Sequence, residues 1–76
     1  MVEGGELRYS RHANERMAAQ GITREMVAAA LSAPDVTVEG DTATEYNTPV
    51  GDRMMRVVVA TRRDPRIVVT VYWLET

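Results

Sequence analysis

The chain has 76 residues, 45% of them hydrophobic and 26% charged, with a formal net charge of −2, one histidine and no cysteine. That length fits one domain with a small core, because so short a chain buries only about 60% of its unfolded surface. The apolar fraction argues against disorder, and the missing cysteines exclude disulfides, thiolate nucleophiles and zinc-thiolate sites. The longest apolar run, Ile67 to Leu74, falls well short of the roughly 20 residues of a membrane helix, and the N-terminus lacks a secretory pattern. A single cytoplasmic domain over residues 1–76 is expected, with no membrane contact, metal or cofactor.

In chain order, Met1 to Gly5 reads as a flexible lead-in that extends to residue 6. Ser10 suits the N-cap of a helix running to about Gln20, and Gly21 suits the residue that stops it. Tyr9, Ala13 and Met17 recur every four residues and form a stripe that should face the core. Thr23 caps a second helix with Glu25 in its first turn; Met26, Val27, Ala30 and Leu31 supply its buried face, and Pro34 ends it.

From Val36 the hydrophobic period falls to two. Strands are expected over 36–39 and 44–48, around the turn Gly40-Asp41-Thr42, and then over 53–61 and 67–74, joined by a polar turn containing Asp64-Pro65. Such short connections require antiparallel pairing, since a parallel crossover needs about a dozen residues. The expected fold is α+β: two N-terminal helices on one face of a four-stranded, mainly antiparallel sheet, in the order ααββββ. In the last strand Ile67, Val69, Val71 and Trp73 form the apolar row on which the helices should sit, joined by Met55, Val57 and Val59. Val68, Thr70, Tyr72 and Leu74 then share the other face with Met54, Arg56 and Val58, a mixed row that an antiparallel sheet can leave wet.

No dinucleotide, phosphate-loop or hydrolytic-triad signature is present. His12 is the only side chain whose ordinary pKa lies near neutrality, and Arg16 follows one helical turn later, placed to hold an anion presented to it. The alternative role for His12 is capping the first turn while Arg16 pairs with Glu15, Glu25 or solvent. A second group is Arg53, Arg56, Thr70 and Tyr72, in which guanidinium, hydroxyl and phenol suit a phosphodiester; a solvated strand face is the competing reading. All nine basic residues are arginine, and Arg62, Arg63 and Arg66 crowd one turn as an auxiliary phosphate patch or a solvated loop.

The run Tyr9-Ser10-Arg11-His12-Ala13-Asn14-Glu15-Arg16-Met17, with Gln20-Gly21-Ile22-Thr23 after it, closely resembles the bacterial domain-of-unknown-function family 4258. The likeness continues through Leu31 to Asp35, Val38 to Asp41, Arg56 to Val59 and Ile67 to Tyr72, so that it spans about residues 8 to 74. That family is similar to the RelE/ParE and BrnT-type toxin fold, within a wider barnase-EndoU-colicin-RelE group of small metal-independent ribonucleases. The resemblance implies the same two-helix, four-strand order and an RNA endonuclease of a toxin-antitoxin system, with RNA and an antitoxin as partners. The implied reaction is attack of an RNA 2′-hydroxyl on the adjacent phosphate, with His12 or Tyr72 moving the proton and Arg16 and Arg56 stabilising charge; Thr70 and Arg53 would contact substrate. Ribosome-dependent toxins of this fold tend to be strongly basic, whereas this chain is slightly acidic, so RNA affinity should be confined to local patches. The alternative is a non-catalytic module or inactive derivative that binds a protein through its sheet, or forms a homodimer by edge pairing.

Overall fold

A computed structural model of the protein describes residues 7–60 and 65–74. The lead-in over 1–6, together with Arg62, Arg63 and Asp64 of the last turn, lies outside the described residues. Ser10 caps α1 (Arg11–Gln20) by accepting a hydrogen bond from the Ala13 amide at 3.0 Å. Gly21 ends it in the left-handed region, φ 69°, where a side chain would be strained. Thr23 caps α2 (Arg24–Ser32) by accepting from the Met26 amide at 3.1 Å, while its own amide donates to the Met26 sulfur.

Counting every strand in chain order, β1 is Leu7–Tyr9, β2 Val36–Glu39, β3 Thr44–Val50, β4 Arg53–Ala60 and β5 Arg66–Leu74. They form one five-stranded sheet in the order β1-β5-β4-β3-β2. The expectation of four strands is therefore corrected to five, and the sheet is mixed, because β1 runs parallel to β5 with Leu7 opposite Arg66 and Tyr9 opposite Val68. Tyr9 is thus a strand residue and not the start of the helical stripe, although its ring still lies against the core. A three-residue strand has too short a pattern to register as a period, and its partner lies near the far end of the chain.

The second correction concerns β5. Val58 faces Thr70, but Val59 faces Val68, so Val69 is an extra residue in a β-bulge. Beyond the bulge the side-chain phase inverts: Val68 turns inward and is fully buried, while Val69 turns outward and is 39% exposed. Val71 and Trp73 keep the inward side that strict alternation assigns them. The core then consists of Ala13, Met17, Ile22, Val27 and Ala30 from the helical layer against Met55, Val57, Val59, Val68 and Val71, each no more than 6% exposed. Burying one such valine contributes roughly 1.5–3 kcal/mol.

Helix α1 also seals part of the sheet edge. Past the end of β1 the backbone of β5 would be bare, but Ser10 Oγ donates to the Val69 carbonyl at 2.8 Å. Gln20 completes the seal: its Nε2 donates to the Val71 carbonyl at 2.9 Å and its Oε1 accepts from the Trp73 amide. The Trp73 indole N–H donates in turn to the Gln20 carbonyl at 3.3 Å. One side chain thereby satisfies two strand groups that would otherwise be left without partners at a half-buried position. Among the described residues no helix is long and apolar enough to cross a membrane.

Two outcomes follow for stability. Gln20→Ala should cost about 1–3 kcal/mol in a urea titration, because it removes both strand-edge bonds and leaves their backbone partners uncompensated. Burial raises the Tyr9 phenol above its ordinary value, opposed by Arg24, whose guanidinium carbon sits 4.6 Å from the ring centre, and reinforced by Glu25. A raised folded-state value favours the protonated form, so this contribution is complete below pH of about 10 and is lost as pH rises through the folded value. Melting temperature should fall more steeply above that pH for the native chain than for Tyr9→Phe.

Candidate functional site

The sheet face opposite the helices carries a connected group of polar side chains centred on Arg56. The register of β3, β4 and β5 sets Asn47, Arg56 and Tyr72 side by side in one row across three strands. Arg56 Nε donates to Asn47 Oδ1 at 3.0 Å, and its Nη1 donates to the Tyr72 hydroxyl at 3.3 Å. The Glu45 carboxylate completes the group, with Oε1 3.5 Å from Arg56 Nε. The Arg56 and Glu45 side chains retain 27% and 38% exposure, so both are accessible to a ligand on this face.

The physical effect is to orient one guanidinium from three directions. The Tyr72 hydroxyl, by accepting its hydrogen bond, raises the already high pKa of Arg56, with the nearby Glu45 charge adding in the same direction. Arg56 therefore remains charged at any working pH. Asn47 is only 8% exposed, and Arg56 satisfies its buried amide oxygen. Thr70 lies in the next row, opposite Val58, which in turn lies opposite Glu45. Alternation and pairing thus bring Arg56, Thr70 and Tyr72 onto one face, as the sequence suggests.

Arg53 does not join them. It stands three residues from Arg56 on the same strand, an odd separation that turns it to the side of the inward-facing Trp73, and its guanidinium carbon lies 4.2 Å from that ring's centre. Alternation therefore gives Arg53 the side of Met55 and Val57, and at the exposed start of β4 it stacks on the tryptophan ring. His12 and Arg16 are both exposed on α1. They precede Gln20 by two turns and one turn on the same flank of the helix, and Gln20 is the residue bonded to the edge of β5. That flank therefore runs beside the strand bearing Thr70 and Tyr72, although no hydrogen bond joins the two groups among the described residues.

Asn47 and Glu45 are polar partners of Arg56 that residue type and alternation alone do not single out. The signal for them was available in the turn Gly51-Asp52, where Gly51 has φ 63° and Val50 pairs with Arg53. Counting outward from that pair sets Asn47 opposite Arg56 and Glu45 opposite Val58.

A family model described as a domain of unknown function, DUF4258, matches residues 9–73. The chain belongs to that family. The DUF4258 match covers both helices and all of β2 to β4, and it ends at Trp73 within β5, so it includes every residue of the polar group just described. No curated protein and no solved structure matches the chain. Among the described residues, no three histidine, aspartate or glutamate side chains gather closely enough to hold a metal ion.

Replacing Arg56 with alanine should destabilise this DUF4258 domain by about 1–3 kcal/mol, since the buried Asn47 oxygen loses its donor. Arg16→Ala, on the exposed helix flank, should stay within about 0.5 kcal/mol of the native chain. Equilibrium urea unfolding of the two variants gives the comparison.

Proposed function

We propose that the protein is a toxin-like, metal-independent RNA endonuclease of a toxin-antitoxin type system. The observation that carries this reading is the hydrogen bond from Arg56 to the Tyr72 hydroxyl on the uncovered sheet face, with a hydroxyl-bearing Thr70 in the adjacent row. A permanently charged guanidinium beside a phenol can bind a phosphodiester, stabilise the charge that develops on its oxygens, and present a ring on which a base can stack. The likeness of the family to the RelE and BrnT-type toxin fold supports the same assignment.

In the proposed reaction the RNA 2′-oxygen attacks the adjacent phosphorus, forming the O2′–P bond as the P–O5′ bond breaks. The products are a 2′,3′-cyclic phosphate and a 5′-hydroxyl end. Because the Tyr72 oxygen already accepts from Arg56, the phenol's own hydrogen is the one available to the departing 5′-oxygen. The 2′-hydroxyl proton requires a base on the other side of the phosphate. His12, on the α1 flank beside β5, and Glu45, next to Arg56, are the two groups with suitable chemistry. Arg16 would hold the RNA backbone along the same flank.

The test is cleavage of a mixed RNA pool by excess protein, with and without ribosomes and with EDTA present throughout. Cleavage leaving cyclic phosphate ends is expected, with Tyr72→Phe and His12→Ala each slowing it by about 10²-fold or more. RNA left intact under all of these conditions would sink the reading and favour a protein-binding role for the sheet.

A further inference from the structure

The two edges of the sheet are treated differently. Beside β5, strand β1, Ser10 and Gln20 occupy the outward backbone groups. At the other edge, all four residues of β2 are exposed, Val36 and Val38 each by 49%, and among the described residues no strand lies beyond them in the sheet. Pairing with β3 puts Val36 beside Asn47 and Val38 beside Glu45 on the face opposite the helices. Alternation places Thr37 and Glu39 on the other side, and Asp35 immediately precedes the strand, its amide donating to the Asn47 carbonyl.

Charge gives this edge a sign. Residues 35–52 contain Asp35, Glu39, Asp41, Glu45 and Asp52 and no basic side chain, whereas all nine arginines lie elsewhere in the sequence. The β2–β3 hairpin and its two flanks are therefore acidic, with Glu45 paired to Arg56, and the rest of the chain carries net positive charge. A second copy of this chain is a poor occupant. Antiparallel self-pairing of β2 centred on Thr37 sets Asp35 opposite Glu39, and centring on Val38 sets Asp35 opposite Asp41. The register between these two sets Val36 opposite Glu39 and mixes the apolar and acidic faces. Pairing β2 with β1 of another copy is head-to-tail and does not close.

We infer that the β2 edge is a docking site for an extended segment of a different protein in which apolar and basic residues alternate, adding as a sixth strand. Its apolar side chains would extend the row of Val36 and Val38, its basic ones would face Asp35 and Glu39, and its backbone would occupy the open ladder. This surface borders the Arg56 group at Asn47 and Glu45 but is built from the β2 backbone with Val36, Val38 and Glu39, so the inference holds whether or not the protein cleaves RNA.

The experiment is an NMR titration of isotope-labelled full-length protein with a seven-residue peptide of alternating valine and lysine, beside a valine-glutamate peptide of equal length. Shift changes should concentrate in 35–39 and 44–47, the β2 amides should gain exchange protection, and the glutamate peptide should bind at least about tenfold more weakly. Val38→Ser should weaken binding, and Glu39→Lys, a change at an exposed site, should narrow or reverse the preference between the peptides. Equal binding of both peptides, shifts centred away from β2, or an unchanged preference in Glu39→Lys would overturn the inference. So would a dimer of the protein alone with its β2 amides already protected.

Discussion

The antiparallel register of β4 on β5 is the constraint on which the other features rest. It aligns Met55 with Trp73 and Val57 with Val71 on the inward side, and the same count aligns Arg56 with Tyr72 on the outward side. A slip of one residue would put a guanidinium into the core and valines into water, which is why burial fixes the pairing so firmly. The bulge at Val69 then limits how far that phase extends. On its C-terminal side Thr70 and Tyr72 stay on the open face; on its N-terminal side Val68 returns to the core in place of Val69. One extra residue thus reconciles a polar outward row with an uninterrupted apolar interior.

The polar group on the open face is a cooperative arrangement. Asn47 cannot lie at 8% exposure without a donor, and Arg56 supplies it. Arg56 in turn is oriented by acceptors on β3 and β5, the strands on either side of its own, so its direction is fixed by the sheet itself. This rigidity suits a group that must meet a ligand in one geometry, because little ordering remains to be done on binding. The uneven distribution of charge sharpens the picture. The slight negative total conceals an acidic hairpin at one edge and an arginine-rich remainder, so net charge alone is a poor guide to what this surface attracts.

Much of this architecture is legible in the residues, and the exceptions have physical causes. The caps at Ser10, Gly21 and Thr23 are local signals and define both helices. The alternation in β4 assigns Met55, Val57 and Val59 to the core and Arg56 to the opposite face. Strand β1 escapes a periodicity argument because three residues hold barely one repeat, and its pairing with β5 joins distant parts of the chain. The bulge escapes because Val68 and Val69 are chemically identical, so nothing in composition says which one points inward. Proximity in sequence groups Arg53 with Arg56, whereas the indole of Trp73 holds it on the other side of the sheet. Glu45 and Asn47 were accessible to a register count from the Gly51 turn and emerge only when strands are paired residue by residue.

The pairing of β1 with β5 has a consequence for synthesis of the chain. Leu7 to Tyr9 leave a ribosome well before their ladder partners, Arg66 to Val68, are made. Ser10 and Gln20 likewise wait for Val69, Val71 and Trp73. Helices and the β2–β3–β4 meander can form during translation, but the sheet cannot close until β5 has left the exit tunnel. Arg56 acquires its phenol partner at that same step, so the nascent sheet stays incomplete until β5 is free.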